Sequence, residues 1–203
     1  MTYDAIFFDV DGVLVDDSRR FSASLSRDYG LKIEDLLPFF QGVFHECLLG
    51  GADVKEELQS VCAAWGWHGT VDELMEYWLT VGTEINADVV AYVTSLRDQN
   101  LRCFIATSQE HYRGKLLQKK LGAGQPFEAV FYSAALGATK KMPAFWERAF
   151  FSINNGNATP LQKEKSLFID DSPAHIAVAQ AYGLDTYLYK GLDDLKMFLA
   201  QRR

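Results

Sequence analysis

The stretch CFIATSQEHYRGKLLQKKLGAGQPFEAVFY, residues 103–132, contains two short apolar runs on either side of an amphipathic segment. The pattern predicts a buried strand at 103–106, a helix at 111–121 that ends at glycine, and a second strand at 129–132. A strand, a helix and a strand in this order form a crossover unit, which joins parallel strands. This stretch therefore predicts an α/β fold with a parallel sheet.

The same alternation continues on both sides of this unit. Further strands are predicted at residues 6–8, 167–169 and 186–189, and further helices at residues 88–99, 143–151, 173–182 and 193–201. A proline near the start of the helix at 143–151 suits its first turn. Strands that alternate with helices predict a Rossmann-like parallel sheet covered by helices on both faces.

Residues 15–86 interrupt this alternation. They contain no convincing strand, and apolar residues recur at helical spacing over 54–65 and 74–79. A stretch of roughly seventy residues is too long for a connecting loop. We therefore predict two domains, an α/β core formed by residues 1–14 and 87–203 and an inserted helical cap formed by residues 15–86.

Composition excludes several classes of function. The net charge is −7 and the basic residues are scattered, which does not favour a nucleic-acid or membrane partner. Cys47, Cys62 and Cys103 lack metal-ligand spacing and suit a reducing compartment. The start of the chain does not resemble a signal peptide, and no apolar run is long enough to span a bilayer. We expect a cytoplasmic protein; its oligomeric state is left open, and a monomer is compatible with the sequence.

Polar residues follow the ends of three predicted strands. They are Asp9 and Asp11 after the first strand, Thr107 and Ser108 after the second, and Asp170 and Asp171 after the strand at 167–169. Lys140 precedes the helix that begins near Pro143. Taken singly, each residue suits a turn, a helix cap or a solvated surface. Parallel sheets bind ligands at this edge, and four crowded carboxylates normally bind a cation, for which oxygen ligands favour Mg²⁺.

Four segments in this order resemble the motifs of the haloacid dehalogenase superfamily. They read FDVDGVL at 8–14, FIATS at 104–108, KKMPAFW at 140–146 and FIDDS at 168–172. The paired aspartates of the fourth motif are similar to those of the sugar-phosphate phosphatases in that superfamily, and many members carry a helical cap where residues 15–86 lie. The chain departs from the usual pattern in having Lys141 in place of proline and Ser108 in place of asparagine.

The resemblance implies a phosphatase that acts through a covalent intermediate. It makes Asp9 the nucleophile, which forms an aspartyl-phosphate, and Asp11 the general acid and base. Thr107, Ser108 and Lys140 would bind the transferring phosphoryl group, and Lys140 would link it to Asp9. An acid at the position of Asp11 favours phosphoryl transfer over dehalogenation, because a halide leaves without a proton.

The resemblance also implies a cofactor and a class of substrate. Mg²⁺ would bind Asp9, the backbone carbonyl of Asp11 and Asp171 directly, and Asp170 directly or through water. A closing cap suits a small phosphorylated metabolite such as a sugar phosphate. The cap residues that would read the substrate are unidentified; Arg19, Arg20, Arg27 and His45 are candidates that more readily suit a solvated surface.

Two alternatives remain open at this point. A phosphomutase on the same scaffold would use the same two aspartates, so the motifs do not exclude it. A non-catalytic binding protein that keeps the fold should have lost at least one motif residue, and each motif residue is present.

Overall fold

The computed structural model describes residues 3–16, 21–81, 84–122 and 126–202. The strands are β1 (Ala5–Phe8), β2 (Arg102–Thr107), β3 (Ala129–Tyr132), β4 (Ser166–Asp170) and β5 (Asp185–Leu188). They form a five-stranded sheet in the order β3-β2-β1-β4-β5, and every neighbouring pair is parallel. The α/β class with a parallel sheet, expected from the alternating pattern, is confirmed.

The helices were named in chain order. They are α1 (Phe21–Tyr29), α2 (Ile33–Gln41), α3 (Phe44–Leu49), α4 (Val54–Val61), α5 (Val71–Val81), α6 (Ala87–Arg97), α7 (His111–Leu121), α8 (Ser133–Leu136), α9 (Pro143–Asn154), α10 (Pro173–Tyr182) and α11 (Leu192–Ala200). Within the described residues, none of these helices combines the length and the apolar character that crossing a membrane requires.

Each face of the sheet is covered by helices. Successive residues of a strand point to opposite faces, so Ile6 and Phe8 pack with α6, α7 and α11, while Phe7 packs with α9 and α10. Trp146 of α9 is fully buried against Phe7 and Phe168, at ring-centroid distances of 5.7 and 4.6 Å. Burial on both faces explains why these strands read as continuous apolar runs.

Helices α1 to α5 lie between β1 and α6 in the chain and are called the insert. The insert has a hydrophobic interior of its own, in which Phe21 stacks on Trp78 at 4.2 Å and Trp65 is buried against Phe39. Its two connections to the sheet lie side by side, because Val15 pairs with Ile85 in an antiparallel bridge. The exact domain boundaries stay a prediction.

The structure differs from the predicted elements in a few places. Helix α8 was not predicted, because four residues are too few to show a helical period. Helix α9 extends to Asn154, beyond the predicted end at 151, and β5 begins and ends one residue earlier than predicted. These differences lie at element ends and in the shortest helix, where sequence patterns carry the least information.

Candidate active site

Topology brings three of the predicted site residues together. Asp9 follows the central strand β1, Thr107 ends β2 on one side of it, and Asp170 ends β4 on the other. All three side chains are buried. Because the strands are parallel, their carboxyl ends meet at one edge of the sheet, which is where this fold class binds ligands.

The ammonium group of Lys140 lies between two carboxylates. Its Nζ is 2.5 Å from Asp9 Oδ1 and 2.6 Å from Asp170 Oδ2, and the lysine side chain is only 1% exposed. Lys140 lies in the turn before α9, which places its side chain at the sheet edge, whereas the adjacent Lys141 is exposed. Of the two neighbouring lysines, Lys140 is therefore the one that contacts the carboxylates.

Backbone and side-chain donors complete the surroundings of these two carboxylates. Val10 N donates to Asp9 Oδ1 at 2.7 Å, and Ser172 N donates to Asp170 Oδ1 at 2.8 Å. His175 Nδ1 lies 3.2 Å from both oxygens of Asp170. The partner of this histidine is thus a site carboxylate five residues earlier in the chain.

Burial and charge shift the ionisation of this cluster in different directions. Burial raises the pKa of Asp9 well above its usual value, and the attraction of Lys140 only partly opposes this effect. Burial also acts to raise the pKa of Asp170, but the His175 hydrogen bond and the Lys140 charge outweigh it and lower the pKa to about 2. Burial acts to lower the pKa of Lys140, and the two carboxylates reverse this and raise it. Burial therefore disfavours the charged form of Asp9, whereas the contacts of Asp170 favour its charged form.

Asp11 belongs to a separate network, which the sequence did not identify. Arg113 binds both of its carboxylate oxygens, with NH2 at 2.6 Å from Oδ1 and NH1 at 2.8 Å from Oδ2. Gln109 Nε2 donates to Asp11 Oδ2 at 2.7 Å. Burial acts to raise the pKa of Asp11, but the charge and hydrogen bonds of Arg113 and Gln109 outweigh it and lower the pKa.

The loop after β2 connects these two networks. Gln109 Nε2 also donates to Thr107 Oγ1 at 3.2 Å, so the amide reaches both the threonine and Asp11. Ser108 Oγ accepts a hydrogen bond from Lys140 N at 3.3 Å, which ties the loop to the lysine turn. The predicted phosphate-binding residues Thr107, Ser108 and Lys140 thus lie in one connected region.

Asp171 lies against the loop that carries Asp9 and Asp11. A Cβ atom placed on Gly12 would be 2.2 Å from Asp171 Oδ2, and Gly12 has a φ of +81°. Only glycine meets both demands, since it tolerates positive φ and leaves room for the carboxylate. The contact puts the second aspartate of the fourth motif beside the first motif.

Replacing Gly12 with alanine is expected to displace the Asp171 carboxylate and to lower the midpoint of urea unfolding. The positive φ alone costs about 1–2 kcal/mol for a residue with a Cβ atom. Gly156→Ala is the matched control, because Gly156 has a φ of +78° and no heavy atom within 4 Å of the added Cβ. Equal destabilisation of the two variants would show that the contact with Asp171 has no energetic effect.

The donor atoms in this region suit a hard divalent cation. Asp9, Asp170 and His175 offer ligand atoms that lie within 4.8 Å of one another. The imidazole nitrogen of His175 already contacts Asp170, and the ammonium group of Lys140 lies between Asp9 and Asp170. Further ligands for a cation would therefore come from carboxylate oxygens, including those of Asp171 beside Gly12. An oxygen donor set fits Mg²⁺ better than softer metals.

The structure gives no site role to the described candidates for substrate recognition in the insert. Arg27 pairs with the neighbouring Asp28 on the surface, at 2.6 Å, and His45 is exposed on α3. Arg19 and Arg20 lie outside the described residues.

Comparisons with known proteins agree with this fold. A family model described as haloacid dehalogenase-like hydrolase matches residues 3–183. The comparison with curated proteins gives no match. A haloacid dehalogenase (HAD) family enzyme of Bacteroides thetaiotaomicron is 18% identical, with a TM-score of 0.77 and coverage of 97% of this chain and 98% of the other.

Two further solved structures show the same fold in proteins of different description. A predicted HAD-like family hydrolase of Porphyromonas gingivalis is 22% identical, with a TM-score of 0.76 and coverage of 100% and 99%. L-2-haloacid dehalogenase of Xanthobacter autotrophicus is 16% identical, with a TM-score of 0.66 and coverage of 98% and 83%. At these identities the likeness establishes the fold, which supports more than one chemistry.

Proposed function

Since the chain belongs to the haloacid dehalogenase-like hydrolase family, we propose that it is a magnesium-dependent phosphatase of small phosphate monoesters. Asp9 attacks the phosphorus and forms an aspartyl-phosphate, which water then hydrolyses. The observation that carries the proposal is the second carboxylate on the same loop, Asp11, which three side-chain hydrogen bonds hold in place. An alkoxide needs a proton to leave and a halide does not, so this acid favours phosphate esters over haloacids.

The negative charges of Asp9 and of the phosphate group must be partly neutralised before the two can react. A carboxylate and a phosphate dianion repel each other, and the Lys140 ammonium, 2.5 Å from Asp9, reduces that repulsion. The Thr107 hydroxyl donates to a phosphoryl oxygen, and Ser108 keeps the lysine turn beside β2. Asp11 protonates the leaving alkoxide and later accepts a proton from the attacking water.

The acidic groups at this edge are the proposed magnesium ligands. They are Asp9, the main-chain carbonyl of Asp11, Asp171 directly, and Asp170 directly or through water. When bound, Mg²⁺ supplies positive charge that offsets the charge of the phosphoryl group. Two observations support this assignment: the carboxylates of Asp9 and Asp170, which lie in one potential metal-binding cluster with His175, and a structure of the B. thetaiotaomicron enzyme in complex with magnesium and inorganic phosphate.

The insert is the proposed cap, formed by residues 15–86, over a core formed by residues 1–14 and 87–203. Its separate interior and its packing on the core through α3 with α8 and α5 with α7 support this assignment. A cap that covers the pocket excludes water and admits small molecules. The substrate is therefore a small phosphorylated metabolite, for which sugar phosphates are the first compounds to test.

Phosphate release from p-nitrophenyl phosphate and from a panel of sugar phosphates tests this proposal. Turnover is expected with Mg²⁺ and should fall at least about a hundredfold in EDTA, since a bound metal typically supplies several kcal/mol to such a transition state. Adding Mg²⁺ in excess should restore it. Turnover that is unchanged in EDTA would contradict a magnesium-dependent mechanism.

The same panel separates the two alternatives. A phosphomutase would convert one sugar phosphate into its isomer with little free phosphate, which ³¹P NMR resolves. A non-catalytic binding protein would turn over no ester and still bind Mg²⁺ in calorimetry. Hydrolysis is favoured over transfer because water is the default acceptor.

A further inference from the structure

The Asp11 carboxylate is held by side chains that belong to none of the four motifs described above. The Asp11 side chain is 36% exposed, so it is partly accessible to solvent. Both of its oxygens are nevertheless bound, Oδ1 by Arg113 and Oδ2 by Arg113 and Gln109. A two-pronged guanidinium contact of this kind fixes the plane of a carboxylate as well as its position.

The guanidinium group that binds Asp11 is itself held in place by the core. Arg113 is 6% exposed and lies in the first turn of α7, whose start is capped by Glu110 through the amides of Tyr112 and Arg113. Gln109 Oε1 accepts from Arg113 NH1 at 3.0 Å, so the two residues form one unit. The hydrogen bonds that fix Arg113 in this way come from residues 109 and 110, in the loop after β2.

Gln109 extends this unit to the proposed phosphate-binding hydroxyl. Its Nε2 lies 2.7 Å from Asp11 Oδ2 and 3.2 Å from Thr107 Oγ1. One amide thereby sets the spacing between the proposed acid and the proposed phosphoryl contact. A network with every member bonded is rigid, and removing one member affects the others.

We propose that Arg113, together with Gln109, is a positioning residue that orients the Asp11 side chain, which as a carboxylate takes a proton from the attacking water and, so protonated, gives a proton to the next leaving group. This inference rests on the proposed phosphatase function. Arg113 acts through Asp11 and makes no contact of its own with the reacting atoms. Its effect on formation of the aspartyl-phosphate is therefore confined to substrates whose leaving group needs a proton, whereas its effect on hydrolysis of the intermediate is common to all substrates.

Two substrates that differ in leaving group test the proposal. p-Nitrophenolate leaves with little help from an acid, whereas a sugar alkoxide needs a proton. In single-turnover experiments, which isolate formation of the aspartyl-phosphate, Arg113→Met is expected to lower the rate of sugar release by about 10- to 100-fold, the range expected when a catalytic group is misplaced. The same variant should change the single-turnover rate of p-nitrophenol release less than about threefold, because this step needs little help from an acid.

Three further variants separate positioning from a structural role. Asp11→Asn should show the same selective loss in single-turnover release of the leaving group, while its steady-state turnover falls on both substrates. The double variant should release the sugar no more slowly than Asp11→Asn alone, since residues that act through one another are not additive. Arg113→Lys keeps the charge without the fork and should recover only part of the activity. Lys115→Met, at an exposed position on the same helix, is the matched control and should behave as wild type.

Each outcome decides between defined alternatives. Equal losses of rate on both substrates, or additive losses in the double variant, would overturn the positioning role of Arg113. The phosphatase proposal would still stand in that case, because it depends on turnover by the wild type. If Arg113→Met does not fold, Arg113→Lys and Gln109→Met, compared on the same two substrates, give the same decision. If the wild type releases phosphate from neither substrate, the phosphatase proposal and this inference are overturned together.

Discussion

Phosphate release by an Asp9→Asn variant is expected to fall more than about a thousandfold below wild type, as for other enzymes that lose a nucleophile. The amide has nearly the shape of the carboxylate but does not attack phosphorus. Because burial raises the pKa of Asp9 and so opposes its charged form, the neutral amide should leave the folded state at least as stable in metal-free buffer. Phosphate release and urea unfolding, measured on the same preparation, check both parts.

Asp193→Asn is a suitable control for this experiment. Its side chain is 93% exposed on α11, so the same chemical change there should alter neither turnover nor stability. Turnover by Asp9→Asn within tenfold of wild type would exclude Asp9 as the nucleophile. An unfolded variant would contradict the stability argument and would show that the Lys140 contact with Asp9 stabilises the fold.

Lys140→Met is expected to lose activity and also to destabilise the fold by about 3–5 kcal/mol, the usual cost of leaving a buried charge uncompensated. Methionine fills the space of the side chain but leaves Asp9 and Asp170 facing each other without a cation. Lys141→Met is the matched control, because Lys141 is exposed and such surface changes usually stay within about 0.5 kcal/mol. Urea unfolding in EDTA at pH 7 measures both variants.

The loss of stability in Lys140→Met should also depend on pH. Without the ammonium, the pKa of Asp9 in the folded state rises further, and Asp170 loses one of the two partners that lower its pKa. The folded variant therefore binds more protons than folded wild type. The variant should therefore recover stability relative to wild type as the pH falls from about 7 to about 5. A deficit that stays constant over this range would show that lost packing, and not repulsion between Asp9 and Asp170, causes it.

Strands β1 to β4 could be predicted from sequence because they are buried on both faces. Such strands read as continuous apolar runs, and β3 falls at the predicted residues. The positions of Asp9, Thr107 and Asp170 then followed from topology, since polar residues at the ends of parallel strands share one edge. Helix α8 has no period to detect, and the helices of the insert before α4 were predicted only as a region without strands.

The partners of the site carboxylates could not be predicted in the same way. Arg113 and Asp11 are 102 positions apart, and no local pattern relates a helical arginine to a loop aspartate. The sequence did contain a signal for this contact. Gln109 directly follows the FIATS segment at 104–108, and Arg113 lies four residues after Gln109, in the first turn of the next helix. His175 has the same kind of position, five residues after Asp170 in the first turns of α10.

The strand order has a consequence for how the molecule fluctuates. Strands β3 and β5 lie at the edges of the sheet, each with one neighbouring strand, and can detach locally while the rest stays folded. Strand β1 has a hydrogen-bonded neighbour on each side, and the Asp9 amide itself donates to Ile169 O at 2.9 Å. Releasing this strand requires both ladders to break at once. The carboxylate proposed as the nucleophile is thus held by the part of the sheet that opens last, and fraying of the edges is expected to leave its position unchanged.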